Sequence, residues 1–386
     1  MESKNIFIWS PFTSKIGTIN NVINSSYSLI KFSKLKELNI KLINVFGEWN
    51  LFETEIKDKK IETINLDSAK FINKWNKEGF IKSRVSYLLI FIFSFLPLLK
   101  LIKKEEPKFL IAHLVTSLPL IIFAFFNFKT KLILSIAGHP NVNFIRKFIW
   151  KTSSKKVFKI ICPSNELKNI LINLDIFDES KIVVIQDPHL SIKKINKLKN
   201  EIINDTFFDD SKILISIGRL TKQKNYKFLI SNFKKLLTEY DDIKLLIIGE
   251  GEEKKLLQDF IKNLNIEQKV KLIGYEKNIY KYLKNSKYYI STSVWEGSSL
   301  AMIDAAYMGL PLLCSDCPTG RKEFIGNDEK GFLFNVGNSE NFLFKFSKMY
   351  KLNSNEIKIK LIKAKKESKK FTPLSYFLRV SKFIYD

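Results

Sequence analysis

Short apolar runs alternate with helical patterns through the second half of the chain, and this alternation most constrains the fold. Residues 213–217, 245–248, 270–273 and 288–292 are strand-like, and a helical stretch from about Tyr226 follows the first of them. Strand and helix in this rhythm predict a doubly wound α/β domain over about residues 195–365. A chain of 386 residues exceeds one core, so a first domain is expected over residues 1–190. Its strand-like runs are residues 5–11, 109–114, 132–139 and 159–164. Gly17 sits in a loop ahead of a helical stripe of Ile19, Val22, Ile23, Tyr27 and Ile30.

The densest chemistry lies between Ser291 and Ile325, where Glu296 is followed after seven intervening residues by Asp304. Gly297, Ser298 and Ser299 open an apolar helical pattern, Leu300, Ala301, Ile303, Ala305 and Ala306, which stops at Gly309-Leu310-Pro311. A helix start leaves about four unpaired N–H groups and roughly half a positive charge, which suits a phosphate. Eight helical positions rise about 12 Å, so the two acids cannot chelate one atom. They can hold two ends of one ligand with hydroxyls at both ends and phosphates between, the layout of a nucleotide sugar. Arg219 and Lys224 follow Gly218 at the carboxyl end of the 213–217 run, where a guanidinium and an ammonium suit a pyrophosphate. Solvated loop charges are the alternative. Gly249 and Gly251 lack the third glycine of a dinucleotide loop and read as tight strand-to-helix turns.

Together these segments resemble the retaining nucleotide-sugar glycosyltransferases of family 4, which have the GT-B fold: two Rossmann-like doubly wound domains facing across a crevice. The family signature is Glu, seven residues, Glu; here the second acid is Asp304. Residues 315–320 with Arg321 and Glu323 are similar to the subgroup that builds bacterial surface polysaccharide, lipopolysaccharide and lipid-linked oligosaccharides. The resemblance implies that Arg219, Lys224, Gly218 and the amides of Gly297, Ser298, Ser299 and Leu300 hold the donor diphosphate. Glu296 then orients the sugar, Asp304 takes the ribose, and Tyr275 after Gly274 meets the base. In the first domain Gly17 approaches the donor phosphate, and His139 lines the sugar beside the reacting centre. A turn glycine, a structural histidine and a surface aromatic are the bland alternatives for Gly17, His139 and Tyr275. Ser164 opens a segment similar to the family's Pro-Ser motif, Asp187-Pro188 stands where the family has Asn-Pro, and the segment of about 370–386 crosses back to the first domain. The implied reaction moves a hexose or N-acetylhexosamine-type sugar from a nucleotide-diphosphate sugar, with UDP as the nucleotide, to a glycan or polyprenyl-diphosphate-linked acceptor. No cofactor and no metal are expected. A GT-B epimerase or phosphorylase, or a basic binding scaffold, are the alternatives.

The net charge of +25 and pI near 9.6 attract phosphates and anionic surfaces, although the abundance of Lys with Ile and Asn also fits genomic base bias. Zinc-ligand spacing, an RNP-like segment and a helix-turn-helix signature are all missing, so no nucleic acid is expected. Residues 85–99 are apolar with basic flanks, and residues 110–129 follow, but both fall short of about 20 clean apolar positions and are interrupted by Pro97 and Pro119. The expectation is peripheral docking on anionic membrane rather than a span, with core helices as the alternative. Residues 1–20 do not have a signal-peptide layout, which implies a cytoplasmic protein, peripheral on the inner face of the cell membrane. Cys162, Cys314 and Cys317 imply reduced, packed thiols rather than a disulfide or zinc framework.

Overall fold

In the computed structural model every residue is described except 1–3, 14–16, 34–37, 75–79, 139, 141, 210, 298, 319 and 386; of residues 4, 17, 73–74 and 80–83 only the backbone is described. The chain divides into two units, residues 1–189 with 373–386, and residues 190–372.

In the first unit, strands β1 (Lys4–Trp9), β2 (Leu38–Asn44), β3 (Glu62–Asn65), β4 (Phe109–Ala112), β5 (Lys131–Ser135), β6 (Val157–Cys162) and β7 (Ile182–Val184) make a parallel sheet of order β3-β2-β1-β4-β5-β6-β7. Helices α1 (Gly17–Phe32), α2 (Glu53–Asp58), α3 (Phe80–Glu105), α4 (Ser117–Phe125), α5 (Phe144–Ser153) and α6 (Asn165–Asn173) cover its two faces. Residues of α3, α4, α5 and α6 share one core with the sheet, and those of α1 share the other. Every residue of β4 is buried, as expected for a parallel strand covered on both faces.

The second unit runs α7 (Ile192–Leu198), β8 (Lys212–Ile217), α8 (Tyr226–Leu236), β9 (Ile243–Ile248), α9 (Lys254–Asn263), β10 (Val270–Leu272), α10 (Tyr280–Lys284), β11 (Tyr288–Ser291), α11 (Leu300–Met308), β12 (Leu312–Ser315), α12 (Arg321–Ile325), β13 (Phe332–Phe334), α13 (Ser339–Tyr350) and α14 (Ser354–Ser368). Its parallel sheet has the order β10-β9-β8-β11-β12-β13. The chain builds outward from β8 and then returns to the other side at β11. The point of reversal therefore lies between β8 and β11, and the loops leaving their carboxyl ends flank it. In the first unit the corresponding reversal lies between β1 and β4.

A last helix, α15 (Pro373–Ile384), returns to the first unit and packs on α1. Its Tyr376, Phe377, Val380, Phe383 and Ile384 are buried there.

Three local expectations are corrected. Gly17 is the first residue of α1 rather than a loop residue; the helix starts two residues ahead of its apolar stripe. Pro97 lies inside α3 without ending it, and Pro119 sits in the first turn of α4, where a missing N–H costs no intrahelical bond. With Pro97 absorbed, Arg84–Glu105 is long and apolar enough to cross a membrane by length and composition, contrary to the expected shortfall.

Candidate functional site

The strands of the second unit deliver their loops to one edge because β8, β9, β10 and β11 are parallel, and close backbone packing then brings those loops together. The Gly249 N–H donates to the Gly274 carbonyl at 2.8 Å, and the Gly218 N–H to the Ile248 carbonyl at 3.0 Å. A Cβ at Gly249, whose φ is +153°, would fall 1.9 Å from the Gly218 carbonyl oxygen. One at Gly251 would fall 2.3 Å from that of Leu220. These glycines are there so that one backbone can lie on another, which refines their reading as tight turns. Gly218 in turn seats the Lys224 stem, since a Cβ there would lie 2.9 Å from Lys224 Cε.

The loop after β8 is tied to the loop after β11. The Val294 N–H donates to the Gln223 carbonyl at 2.8 Å, Gln223 Nε2 donates to the Trp295 carbonyl at 2.9 Å, and Thr292 Oγ1 donates to the Lys224 carbonyl at 3.0 Å. Lys224 is thereby held over Glu296, and its Nζ donates to Glu296 Oε1 at 2.6 Å. Ser293 Oγ donates to the same oxygen at 2.6 Å and Arg321 Nη2 at 3.0 Å. The Glu296 side chain is 7% exposed, Lys224 19% and Arg321 1%. Burial alone would raise the Glu296 carboxyl. The charges of Arg321 and Lys224 and the hydrogen bonds from Lys224 and Ser293 outweigh it, so the group is held below the usual carboxylate range. Two cations around one carboxylate leave a net positive charge at this edge of the sheet.

Arg321, which the sequence-based expectation leaves without a role, organises the site from behind. Its Nη2 also donates to Ser291 Oγ at 2.6 Å, its Nη1 to Ser315 Oγ at 2.8 Å, and its Nε to Ser299 Oγ at 3.1 Å. Ser299, with φ +24°, directly precedes α11, so one buried guanidinium joins Glu296 to the start of that helix. A signal for it was present in the sequence: Ser291 and Ser315 are polar residues at the ends of otherwise apolar strands, Ser293 follows two residues after the first, and buried hydroxyls require partners.

Other expected residues are placed as follows. Arg219 is exposed and makes no side-chain hydrogen bond or ion pair with the described residues. Tyr275 is 76% exposed at the end of the β10 loop. Gly297 is exposed, and Leu300 opens α11. Asp304 is buried rather than open to a ligand, and accepts a hydrogen bond from the Tyr280 hydroxyl at 3.1 Å. One turn into α11 it faces α10, whose contact with α11 covers it. Ser298 and His139 lie outside the described residues, and Gly17 belongs to the first unit. Cys314 and Cys317 are buried and free, and burial pushes the Cys314 thiol up to about 12, so it stays neutral. Among the described residues, no group of three or more His, Cys, Asp or Glu side chains is arranged to hold a metal ion.

Two parallel Rossmann-like sheets, one with a positively charged reversal point, define the GT-B class of fold. Along its whole length the chain is similar in structure to a glycosyltransferase from Rickettsia africae, with a TM-score of 0.75, 18% identity and coverage of 100% of this chain and 98% of that one. It is likewise similar to Anabaena HepE in complex with UDP and glucose, with a TM-score of 0.70, 14% identity and coverage of 99% of both chains. Residues 199–368 match the family described as glycosyl transferases group 1. An uncharacterized glycosyltransferase of Methanocaldococcus jannaschii is 43% identical over 111 residues, 29% of this chain and 27% of that protein. The N-acetylgalactosamine-N,N'-diacetylbacillosaminyl-diphospho-undecaprenol 4-alpha-N-acetylgalactosaminyltransferase of Campylobacter jejuni is 40% identical over 131 residues, 34% of this chain and 35% of that one. The matched stretch thus spans about a quarter to a third of these curated relatives.

Proposed function

We propose that the protein is a retaining glycosyltransferase that moves a hexose or N-acetylhexosamine-type sugar from a UDP-sugar to a glycan or polyprenyl-diphosphate-linked acceptor in bacterial surface polysaccharide synthesis. The observation that carries this is the Lys224–Glu296–Arg321 cluster at the start of α11, on the carboxyl edge of the sheet where β8 meets β11. The lipid-linked substrate in the name of the Campylobacter relative and the UDP bound to the Anabaena protein support the choice of acceptor and donor.

The donor diphosphate is a dianion, and the exposed Arg219, the Lys224 ammonium and the first amides of α11 supply the opposite charge. Because Glu296 keeps Arg321 and Ser293 as donors, Lys224 can turn from the carboxylate to the phosphate without leaving a buried charge unpaired. Glu296 then accepts from a sugar hydroxyl. As the bond between C1 and the phosphate oxygen breaks, its electron pair passes to the diphosphate. The acceptor hydroxyl oxygen bonds to C1 on the same face, and its proton moves to the departing phosphate. The cationic groups stabilise the charge formed, so no metal is needed for that purpose. Asp304 meets the ribose only if the Tyr280 hydroxyl yields to it; in the structure it braces α10 against α11. Nucleotide sugars are cytoplasmic substrates and the three cysteines are free, which supports a cytoplasmic location.

The test is sugar transfer from UDP-sugars followed by product analysis. Arg219→Ala and Lys224→Ala should each lower kcat by about 10²-fold or more with little change in melting temperature. Undiminished transfer by both variants would remove these residues from the mechanism, and a rearranged donor formed without acceptor would mean an epimerase instead.

A further inference from the structure

Helix α3 carries large apolar side chains on its outward face as well as on its inward one. Ser86, Ile90, Ser94, Leu98 and Ile102 recur every four residues on the buried side. Val85, Leu88, Ile92 and Leu96, with Phe93 beside them, form the exposed side. Phe71, also exposed, meets Phe93 edge-on at 4.9 Å and widens the patch. Scattered exposed hydrophobes are ordinary, but a contiguous stripe of them marks an interaction surface.

A second cluster lies on the same face of the first unit's sheet. On α5, Phe144, Ile145 and Phe148 are exposed, with Arg146 and Lys147 between them. Helix α4 touches both α3 and α5, and all three helices share one core. The 26 residues of α3 extend about 39 Å, whereas the four residues of β4 extend about 13 Å. Only three residues separate the two elements, so the excess length of α3 overhangs the carboxyl edge of the sheet. Its exposed apolar half is at that end, and α5 begins at the same edge. From Arg84 to Lys104 α3 has no acidic residue, and Lys100, Lys103 and Lys104 are exposed in its last turns.

We propose that this face docks peripherally on an anionic phospholipid bilayer, with the aliphatic and aromatic side chains entering the acyl boundary and the lysines and arginines meeting headgroup phosphates. Apolar side chains interleaved with basic ones on α5 and flanked by them on α3, on a chain of net charge +25, complement such a surface. A second copy of the chain would bring the same positive charge against itself. The face belongs to the first unit and uses none of the second unit's donor-site residues, so the two assignments can fail separately.

The test is flotation of the full chain with vesicles of phosphatidylcholine alone or mixed with phosphatidylglycerol, at low and high salt. Binding should require the anionic lipid and weaken at high salt. The triple variant Leu88→Ser, Ile92→Ser, Leu96→Ser, and separately the pair Phe144→Ser, Phe148→Ser, should each lower partitioning by about tenfold. The pair Lys100→Glu, Lys103→Glu should erase the preference for anionic lipid. All these side chains are exposed, so the melting temperature and its shift with UDP should be unchanged. The proposal is overturned by absence of vesicle binding, by equal binding of the apolar variants, or by self-association in sedimentation velocity that those variants abolish.

Discussion

Arg321 is fully charged and almost fully buried, which is sustainable only because every nitrogen of its guanidinium has an oxygen partner. Replacing it takes the nearest buried positive charge away from the Glu296 carboxylate and removes a donor from the hydroxyls of Ser291 and Ser315. Arg321→Ala should therefore cost roughly 3–5 kcal/mol. The pair Arg321→Met, Glu296→Gln should recover most of it, because neither charge is then left alone. Denaturant midpoints decide the matter, and a single variant as stable as the parent would contradict the account. His113, at the end of β4, makes the opposite case: its Nε2 is buried with no hydrogen-bond partner among the described residues, and burial lowers its pKa to about 4. The ordinary value is about 6.5, so between those limits the unfolded chain takes up a proton that the folded chain refuses. Stability from this group is complete above about pH 6.5 and falls by about 3 kcal/mol as the pH drops toward 4. His113→Phe should flatten that part of the stability curve, and urea titrations at a series of pH values would show an unchanged slope if the histidine were not responsible.

At the scale of the element, the site depends on loops that touch rather than on any one loop. Gly249 has the tightest contact, and any side chain there must push β9 away from β8 or distort the Gly218-Arg219 turn. Gly249→Ala should destabilise the second unit by about 1–3 kcal/mol. It should also raise KM for the donor nucleotide, because Arg219 and Lys224 lose their seat. An alanine variant with parental melting temperature and KM would show that the backbone contact is dispensable. Most strands of this unit were legible as elements because both faces are buried, which produces continuous apolar runs such as β8 and β9. Helix α3 was legible as apolar but not as unbroken through Pro97, since a proline is read locally while its cost depends on what the surrounding turns can absorb. The start of α1 at Gly17 was hidden for a similar reason: a glycine in a polar stretch carries no periodic signal.

At the scale of the whole molecule, the chain's last helix completes its first unit. Five buried side chains of α15, at about 1.5–3 kcal/mol each, amount to roughly 10 kcal/mol, as much as a typical domain's net stability. A chain ending at Thr372 should keep the unfolding transition of residues 190–372 and lose that of the first unit. Calorimetry of the shortened chain distinguishes this from a dispensable tail, which would leave both transitions in place. The sequence by itself determined the α/β class, the division into two domains and the stretch in which Glu296, Lys224 and Arg219 lie, because periodicity, small-residue turns and motif spacing are local properties. Only the tertiary structure decided which charges meet. Arg321 reaches Glu296 across 25 positions of sequence, and Asp304 turns toward Tyr280 instead of outward. Such pairings follow from strand order and loop packing, which bring distant residues within hydrogen-bonding distance and which no local pattern encodes.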